Sequence, residues 1–454
     1  MSVTAAVCRA PSATSSARLP SSGFGVFLLL NAALFLRPVE IVPGLVGLEI
    51  YQFLIFVCLL IAFPTVVEQL SPEMLERRPI TACIVGLLFA AVLSHLCRFD
   101  IARAAACGYE FFKLVVYYLL FVGLVTTPER LRRFLLWLAI FAAALALLAV
   151  LQYHDVIRLP NLKTLQAVER DAATGRDVVV RRLQATGPFH DPNDLCVLLV
   201  VGISLSLYWL TDSRKGLARL AWVGPLVVLL YALALTQSRG GFLALLGGLF
   251  AFLHARFGWK ATIGLGAVLA PALFVAFAGR QTDISASAGT GQERIQIWSD
   301  GLMLFRDAPL FGVGMNQFEV FVGHVAHNSY LQALAELGLV GGALFLGAVY
   351  LGLTTVRSWN AGDRPVVDPE LRRLHPYLTG AVTGYAVGML TLTLNYIVPT
   401  YVILGVATAY GGMTQAQPPA QLARFDLRLA GRLVGLAVMF FLGLTIFVRL
   451  FFVH

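Results

Sequence analysis

The sequence predicts an all-α fold, a polytopic transmembrane helical bundle of about 12 to 13 spans with a partly helical extracytoplasmic loop. Three observations carry this. Of 454 residues, 58% are hydrophobic and 13% charged, against roughly 25% charged in soluble proteins, and the mean hydropathy is +0.78. The apolar residues fall in runs of about 20, the length a helix needs to cross a hydrocarbon core of roughly 30 Å, and helices satisfy their backbone polar groups within lipid. The short alternating segments of a β-barrel are absent.

In chain order the spans are expected near 24–36, 46–64, 80–97, 109–126, 134–153, 194–210, 221–236, 240–254, 261–278, 329–355, 377–395, 397–412 and 433–453. The first is short enough for a half-span. It runs into Arg37-Pro38 without the small-residue cleavage site of a signal peptide, so it is read as retained. Before it, residues 1–22 are rich in Ser, Ala and Pro and are expected to form a disordered cytoplasmic tail; residues 23–454 then form a single transmembrane domain.

Orientation follows from the cations of the short loops. A cytoplasmic N-terminus places Arg77, Arg78, Arg130, Arg132, Arg133, Arg214, Lys215, Arg219, Arg256, Lys260, Arg357, Arg364, Arg372, Arg373, Arg424, Arg428 and Arg432 inside. Arg37, Arg98, Arg103 and Arg239 fall outside. The net charge of +9 is mostly this topological signal and forms no single patch suited to nucleic acid.

Two longer loops, 154–193 and 279–328, then lie on the extracytoplasmic face, and loops of that length in a compact protein usually carry function. The first contains Arg158, Lys163, Arg170, Arg176, Arg181 and Arg182. Such a basic loop suits an anionic ligand or membrane surface, or equally a solvated face.

Three polar patterns converge on that face. Thr186-Gly187-Pro188-Phe189-His190-Asp191-Pro192-Asn193-Asp194 closes the first loop, with Asn193 or Asp191 as a helix cap and Pro192 in the first turn. Thr236-Gln237-Ser238-Arg239-Gly240-Gly241 turns the chain between two apolar segments at the membrane boundary, where an arginine is costly unless it meets an anion or carbonyls; snorkelling is the alternative. The third runs from Gly291-Gln292-Glu293-Arg294 through Trp298 and Pro309-Leu310-Phe311-Gly312-Val313-Gly314 to His327-Asn328. Arg294, Trp298 and Leu302 have helical spacing, read as an interfacial helix, and Gly312 and Gly314 mark a turn unlike a phosphate-binding loop.

Pro192-Asn193, Ser238-Arg239-Gly240-Gly241, the Arg294 to Trp298 spacing, the 309–314 run, and His327-Asn328 followed by Leu331, Glu336 and Gly338 together resemble the O-antigen ligase and Wzy-type polymerase superfamily. The motifs cover roughly 186–340, and the 327–338 run is the most specific. The resemblance implies a glycosyltransferase similar to the GT-C class, in the bacterial inner membrane with its active site on the periplasmic face. It would take a glycan from an undecaprenyl diphosphate carrier and pass it to a hydroxyl acceptor: lipid A-core, a growing glycan or a protein. No cofactor, metal or nucleotide sugar is implied, and the sequence has no Asp-x-Asp or His-rich metal spacing.

The residues fit that chemistry. Cleaving the sugar C1–O bond builds negative charge on the diphosphate, which preorganised cations stabilise; Arg239 and Arg294 have forks matched to phosphate oxygens. A neutral imidazole suits removal of the acceptor proton, and His327 is the expected base of a single inverting displacement; a structural helix-start histidine is the alternative. Asn193, Asp194, Ser238, Asn328 and Glu336 are the expected polar binding residues, with Asn328 orienting a ligand or capping its helix and Glu336 holding an arginine.

His190 is placed at the cleft or on a flexible loop, while His95, His254 and His375 are expected at the interfaces. Asn395 and Tyr396 sit in an outside turn before Pro399 and are possible cleft lining. Cys97 and Cys107 flank one outside turn, where an oxidising compartment would permit a disulfide; Cys58, Cys83 and Cys196 read as buried apolar residues. The alternative functions are a lipid-linked glycan flippase or transporter, a protein O-oligosaccharyltransferase, and a non-catalytic assembly factor. Internal repeats would favour transport, and none is found.

Overall fold

The computed structural model describes residues 21–158, 165–170, 177–277, 290–357, 366–414 and 423–451. The tail to residue 20, Lys163, Arg176, residues 279–289 of the second loop and Arg364 lie outside the described residues. The helices are α1 (Ser21–Leu36), α2 (Pro38–Ile41), α3 (Ile50–Gln69), α4 (Pro72–Arg77), α5 (Pro79–Leu96), α6 (Ile101–Leu124), α7 (Pro128–Tyr153), α8 (Pro192–Leu210), α9 (Val223–Leu235), α10 (Arg239–Ala276), α11 (Thr290–Asp307), α12 (Phe318–Val322), α13 (Ser329–Arg357), α14 (Pro369–Gly388), α15 (Val398–Met413) and α16 (Leu427–Phe451). Among the described residues, nine helical stretches are long and apolar enough to cross a membrane, and Ser22–Leu36 and Val398–Met413 are shorter apolar helices. The protein is a multi-pass, all-α membrane protein.

Local chemistry sets the boundaries. Proline occupies the first turn of α5, α7, α8 and α14, where its missing N–H is no loss. Asp100, Thr127, Asp191, Ser238 and Asp368 cap the following helices by accepting from first-turn N–H groups. Inside the bundle the aromatic rings interlock: Phe121 meets Phe134 edge-on at 4.7 Å and Phe27 at 5.8 Å. Two buried tyrosine hydroxyls in this core are paired, Tyr117 donating to Asn31 Oδ1 at 2.6 Å and Tyr118 lying 3.0 Å from Thr81 and 2.9 Å from Thr408, which offsets the cost of burying them.

Two helices are broken. α10 is interrupted at Gly258 (φ 77°, ψ 177°), and the rings of Phe242 and Phe277, at its two ends, are 5.6 Å apart. The chain therefore reverses there, giving the two spans expected at 240–254 and 261–278. α13 is interrupted at Gly338 (φ 66°, ψ −164°), inside what the sequence suggests is one continuous span.

The segments expected outside and inside gather at opposite ends of the bundle. At one end Gly187 N–H donates to Glu40 (2.8 Å), Arg98 Nε to Gly312 O (3.3 Å) and Ser329 N–H to Met389 O (2.9 Å). At the other, Arg132, Arg373 and Arg214 pair with the buried Asp212 at 3.4, 3.1 and 3.2 Å, all three also meet Glu370, and Phe425 N–H reaches Glu76 O at 2.8 Å. Three inside-assigned arginines thus share one network.

Several expectations change. The first loop contains an antiparallel hairpin, β1 (Leu165–Arg170) with β2 (Asp177–Arg182), foreshadowed only by Val178-Val179-Val180. Cys97 and Cys107 are free, the latter donating to Met315 O at 3.7 Å, so no disulfide spans that turn. Cys58, Cys83 and Cys196 are buried as expected. His95 and His375 are buried with their Nε2 atoms 3.0 Å from Met315 O and 2.7 Å from Val356 O: each ties a helix end to a neighbouring carbonyl, in place of an interfacial role.

Candidate functional site

The site end of the bundle is built around three chain reversals. At the first, Asp191 caps α8 by accepting from Asn193 N–H at 2.6 Å, with Pro192 at the first helical position. The side-chain oxygen of Asn193 accepts from Ser238 Oγ at 2.8 Å and from Arg182 Nη2 at 2.9 Å. Arg182 is buried, and its Nε donates to Thr236 O at 2.9 Å. The sequence presents Arg182 as one more cation of a basic loop; its role as the link between the 191–194 turn and the 236–241 turn is visible only in three dimensions.

At the second reversal Gln237 adopts φ 52°, and Ser238 caps α10 through Gly241 N–H at 3.1 Å. Arg239 is thereby set as the first residue of α10, half-buried. A Cβ on Gly240 would collide with Thr391, so this turn rests directly on the 389–397 loop.

The third reversal carries His327. Trp298 of α11 donates to Ala326 O at 2.9 Å, fixing the strand of chain that enters α13. His327 itself has φ 47°, a left-handed conformation that a non-glycine residue holds only when its surroundings impose it, and such outliers gather at working sites. Ser329 anchors the other side, accepting from Leu394 N–H (2.9 Å) and donating to Leu392 O (2.7 Å). The 389–397 loop therefore touches both the Arg239 turn and the His327 turn.

Electrostatics joins the remaining parts. His327 is pushed down from 6.5 to about 4, first by burial and then by the positive charges of Arg294 and His324, while Asp191 opposes the shift. Arg294 and Asp191, 103 positions apart in sequence, thus both act on the same imidazole, which is neutral at pH 7.

The expected binding residues divide into two groups. Arg239, Arg294, His327, Asn193 and Asp194 are half-buried at this end of the bundle. Ser238, Asn328 and Glu336 turn inward. Asn328 Oδ1 caps α13 through the N–H groups of Tyr330 and Leu331 at 3.1 Å. Glu336, fully buried, accepts from Phe318 N–H at 3.0 Å and Gln332 at 3.2 Å. Its partners are thus a backbone amide and a neutral side chain where the sequence suggests an arginine.

The 309–314 run has a structural role of its own. Leu339 N–H donates to Pro309 O (2.7 Å), Val340 N–H to Leu310 O (3.2 Å), Val313 N–H to Ala335 O (2.9 Å) and Gly314 N–H to Glu336 O (3.0 Å). The broken turn of α13 is thus filled by the 309–314 backbone, which satisfies the groups that a break leaves open.

A cleft of about 380 Å³ opens at the same end, lined by Arg37, Glu110, Lys113, Pro188, Asn316 and Tyr396 among others. Tyr396 meets the expectation of cleft lining, while Asn395 is fully buried. His190 is exposed, 3.6 Å from Glu40. Among the described residues no group of His, Cys, Asp and Glu is arranged to hold a metal.

Residues 224–346 match a family model described as O-antigen ligase, and the curated proteins contain no match to the chain. The matched stretch runs from α9 into α13 and includes Ser238, Arg239, Arg294, His327, Asn328 and Glu336. The resemblance carried by the sequence motifs holds over this stretch.

Proposed function

We propose that the chain, a multi-pass membrane protein whose residues 224–346 match an O-antigen ligase family model, is a glycosyltransferase that transfers a glycan from an undecaprenyl-diphosphate-linked donor to a hydroxyl acceptor on the periplasmic face of the inner membrane. The observation that carries this reading is the gathering, at one end of the bundle, of the Arg239 turn, Arg294 of α11 and a half-buried histidine that is neutral at pH 7.

In this reading Arg239 and Arg294 hold the diphosphate, each presenting a planar fork to phosphate oxygens. The acceptor oxygen attacks the sugar C1 as the C1–O bond to the diphosphate breaks. The electron pair leaves with undecaprenyl diphosphate, and the hydroxyl proton passes to His327. Configuration at C1 inverts. The arginines stabilise the charge that grows on the leaving group. A base titrating at about 4 is unprotonated at neutral pH but intrinsically weak; a diphosphate bound beside Arg294 offsets the positive potential there and raises it toward a useful value. The acceptor approaches through the cleft of Arg37, Lys113 and Tyr396, and its identity decides between ligase, polymerase and protein glycosylation.

The test is reconstitution of the purified protein with a defined undecaprenyl-diphosphate-linked glycan and, in separate reactions, lipid A-core, a second lipid-linked glycan and a peptide. Glycan appearing on one acceptor with release of undecaprenyl diphosphate is the expected result. Translocation of intact donor without its consumption overturns the proposal.

A further inference from the structure

At the end of the bundle opposite His327, the junction of α4 and α5, the second half of α13, the end of α15 and the start of α16 enclose a cavity of about 280 Å³ lined by Arg77, Arg78, Tyr350, Thr408, Gly412 and Arg432 among others. Ile80, Leu351 and Leu429 also line it, so its lining combines cationic and apolar side chains.

The arginines differ in what already occupies them. Arg77 pairs with Glu73 at 2.8 Å, both exposed, an arrangement that contributes little and exchanges readily. Arg432 has no ion pair among the described residues. Arg78 is held at the start of α5, where its Nη1 donates to the neutral Gln69 Oε1 at 2.6 Å. Burial lowers its pKa, opposed by Tyr118 and Glu68. Two further carboxylates are near: Glu73 on Arg77 and Glu76, 3.5 Å from Arg424. A largely buried guanidinium whose hydrogen-bond partner is an amide is costly unless an anion completes it.

We propose that this cavity is a binding site for the phosphate headgroup of an anionic phospholipid, with Arg78 and Arg432 on the phosphate and an acyl chain against Ile80, Leu351 and Leu429. The guanidinium forks match phosphate oxygens. The apolar wall and the location between membrane helices on the arginine-rich side select a lipid over a soluble anion, since basic pockets at that depth meet the anionic leaflet. A Cβ on Gly412 would touch only Arg78 Nη2, at 3.8 Å, so the cavity is open at that point to the ligand.

The experiment is native mass spectrometry and thermal unfolding of the full-length protein in detergent, with phosphatidylglycerol, phosphatidylcholine or inorganic phosphate added. Phosphatidylglycerol should be retained in preference to phosphatidylcholine and should raise the unfolding temperature. Arg78→Gln and Arg432→Gln should each weaken retention about fivefold, at roughly 1 kcal/mol per cation. Gly412→Leu, which leaves every arginine in place, should block it. If Arg78→Gln fails to fold, Arg432→Gln and Gly412→Leu decide. Equal retention of the two lipids, or phosphatidylglycerol binding unchanged in the folded variants, overturns the proposal. Equal protection by inorganic phosphate overturns the lipid assignment in favour of a free phosphate.

Discussion

Gly312 and Gly338 face each other so closely that a Cβ on Gly312 would lie 2.5 Å from Gly338 N. Both have positive φ, 75° and 66°, and a Cβ on either would strike the backbone of the opposing segment. Backbone cannot swing aside as a side chain can, so the two glycines are the condition for the 309–314 chain to fill the broken turn of α13.

Alanine at Gly312 or Gly338 should therefore destabilise the protein by more than about 2 kcal/mol, combining the positive-φ cost with overpacking. Gly323, also at positive φ (83°) but with open space around it, is the control: alanine there should cost only about 1 kcal/mol. Unfolding temperatures of the three variants in one detergent check this, and equal losses would remove the interlocking argument.

Arg182 should prove structural and positioning. Removing its side chain leaves Thr236 O without its donor and Asn193 with Ser238 alone, so Arg182→Met should cost about 1–3 kcal/mol and weaken donor binding by displacing Arg239. A double-mutant cycle with Asn193→Ala should give a coupling of about 0.5–3 kcal/mol. Additive losses would show that the two turns are held independently.

For the diphosphate, Arg239→Lys should remain impaired because a point charge lacks the bidentate fork, and Arg239→Ala should be worse while the protein stays folded in the membrane. Unaltered turnover in the Arg239→Ala and Arg294→Ala variants would exclude the arginines from the reaction.

Loss of a positioned base typically costs ~10²–10⁴-fold, so His327→Ala should nearly abolish transfer while donor affinity survives; lost affinity with unchanged chemistry would make His327 a phosphate ligand. The pH dependence has a definite sign. In the free protein His327 titrates at about 4 in place of 6.5, so the acid limb of kcat/KM, which reports the free enzyme, should fall near 4, and Arg294→Gln should move it upward. Unfolded chains take up the proton between these two values. The stability contribution is therefore complete above 6.5 and lost as pH drops toward 4. An acid limb at 6.5 in both proteins would contradict the burial of the imidazole.

Sidedness is accessible to labelling. In a Cys97→Ser background, cysteines at His190 and Arg424, on opposite ends of the bundle, should react oppositely with an impermeant thiol reagent in right-side-out vesicles: His190 at once, Arg424 only after permeabilisation. The reverse pattern would invert the orientation.

The spans were legible because apolar run length and flanking cations are local properties, and the expected separation of 240–254 from 261–278 coincides with the break at Gly258. Of the candidate site the sequence offered residue types, Arg239, Arg294 and His327, which lie at one end of the bundle. What the sequence hid is pairing across distance. Asn328 and Glu336 look like ligand groups because capping and burial use the same side chains as binding, and only their contacts with Tyr330 N–H and Phe318 N–H separate the roles. Arg182 reads in the sequence as one more cation of its loop, and only its burial sets it apart. The partner of Gly312 lies beyond the helix start at Ser329, so no local pattern announces it.

The backbone break at Gly258 decides a matter of parity. Were α10 one unbroken rod, the chain would cross the lipid once between Arg239 and Arg294, leaving the two guanidinium groups in different compartments, where no single leaving group could meet both. The hairpin, closed by Phe242 against Phe277, returns Phe277 to the end of α10 that carries Arg239, as the proposed shared leaving group requires.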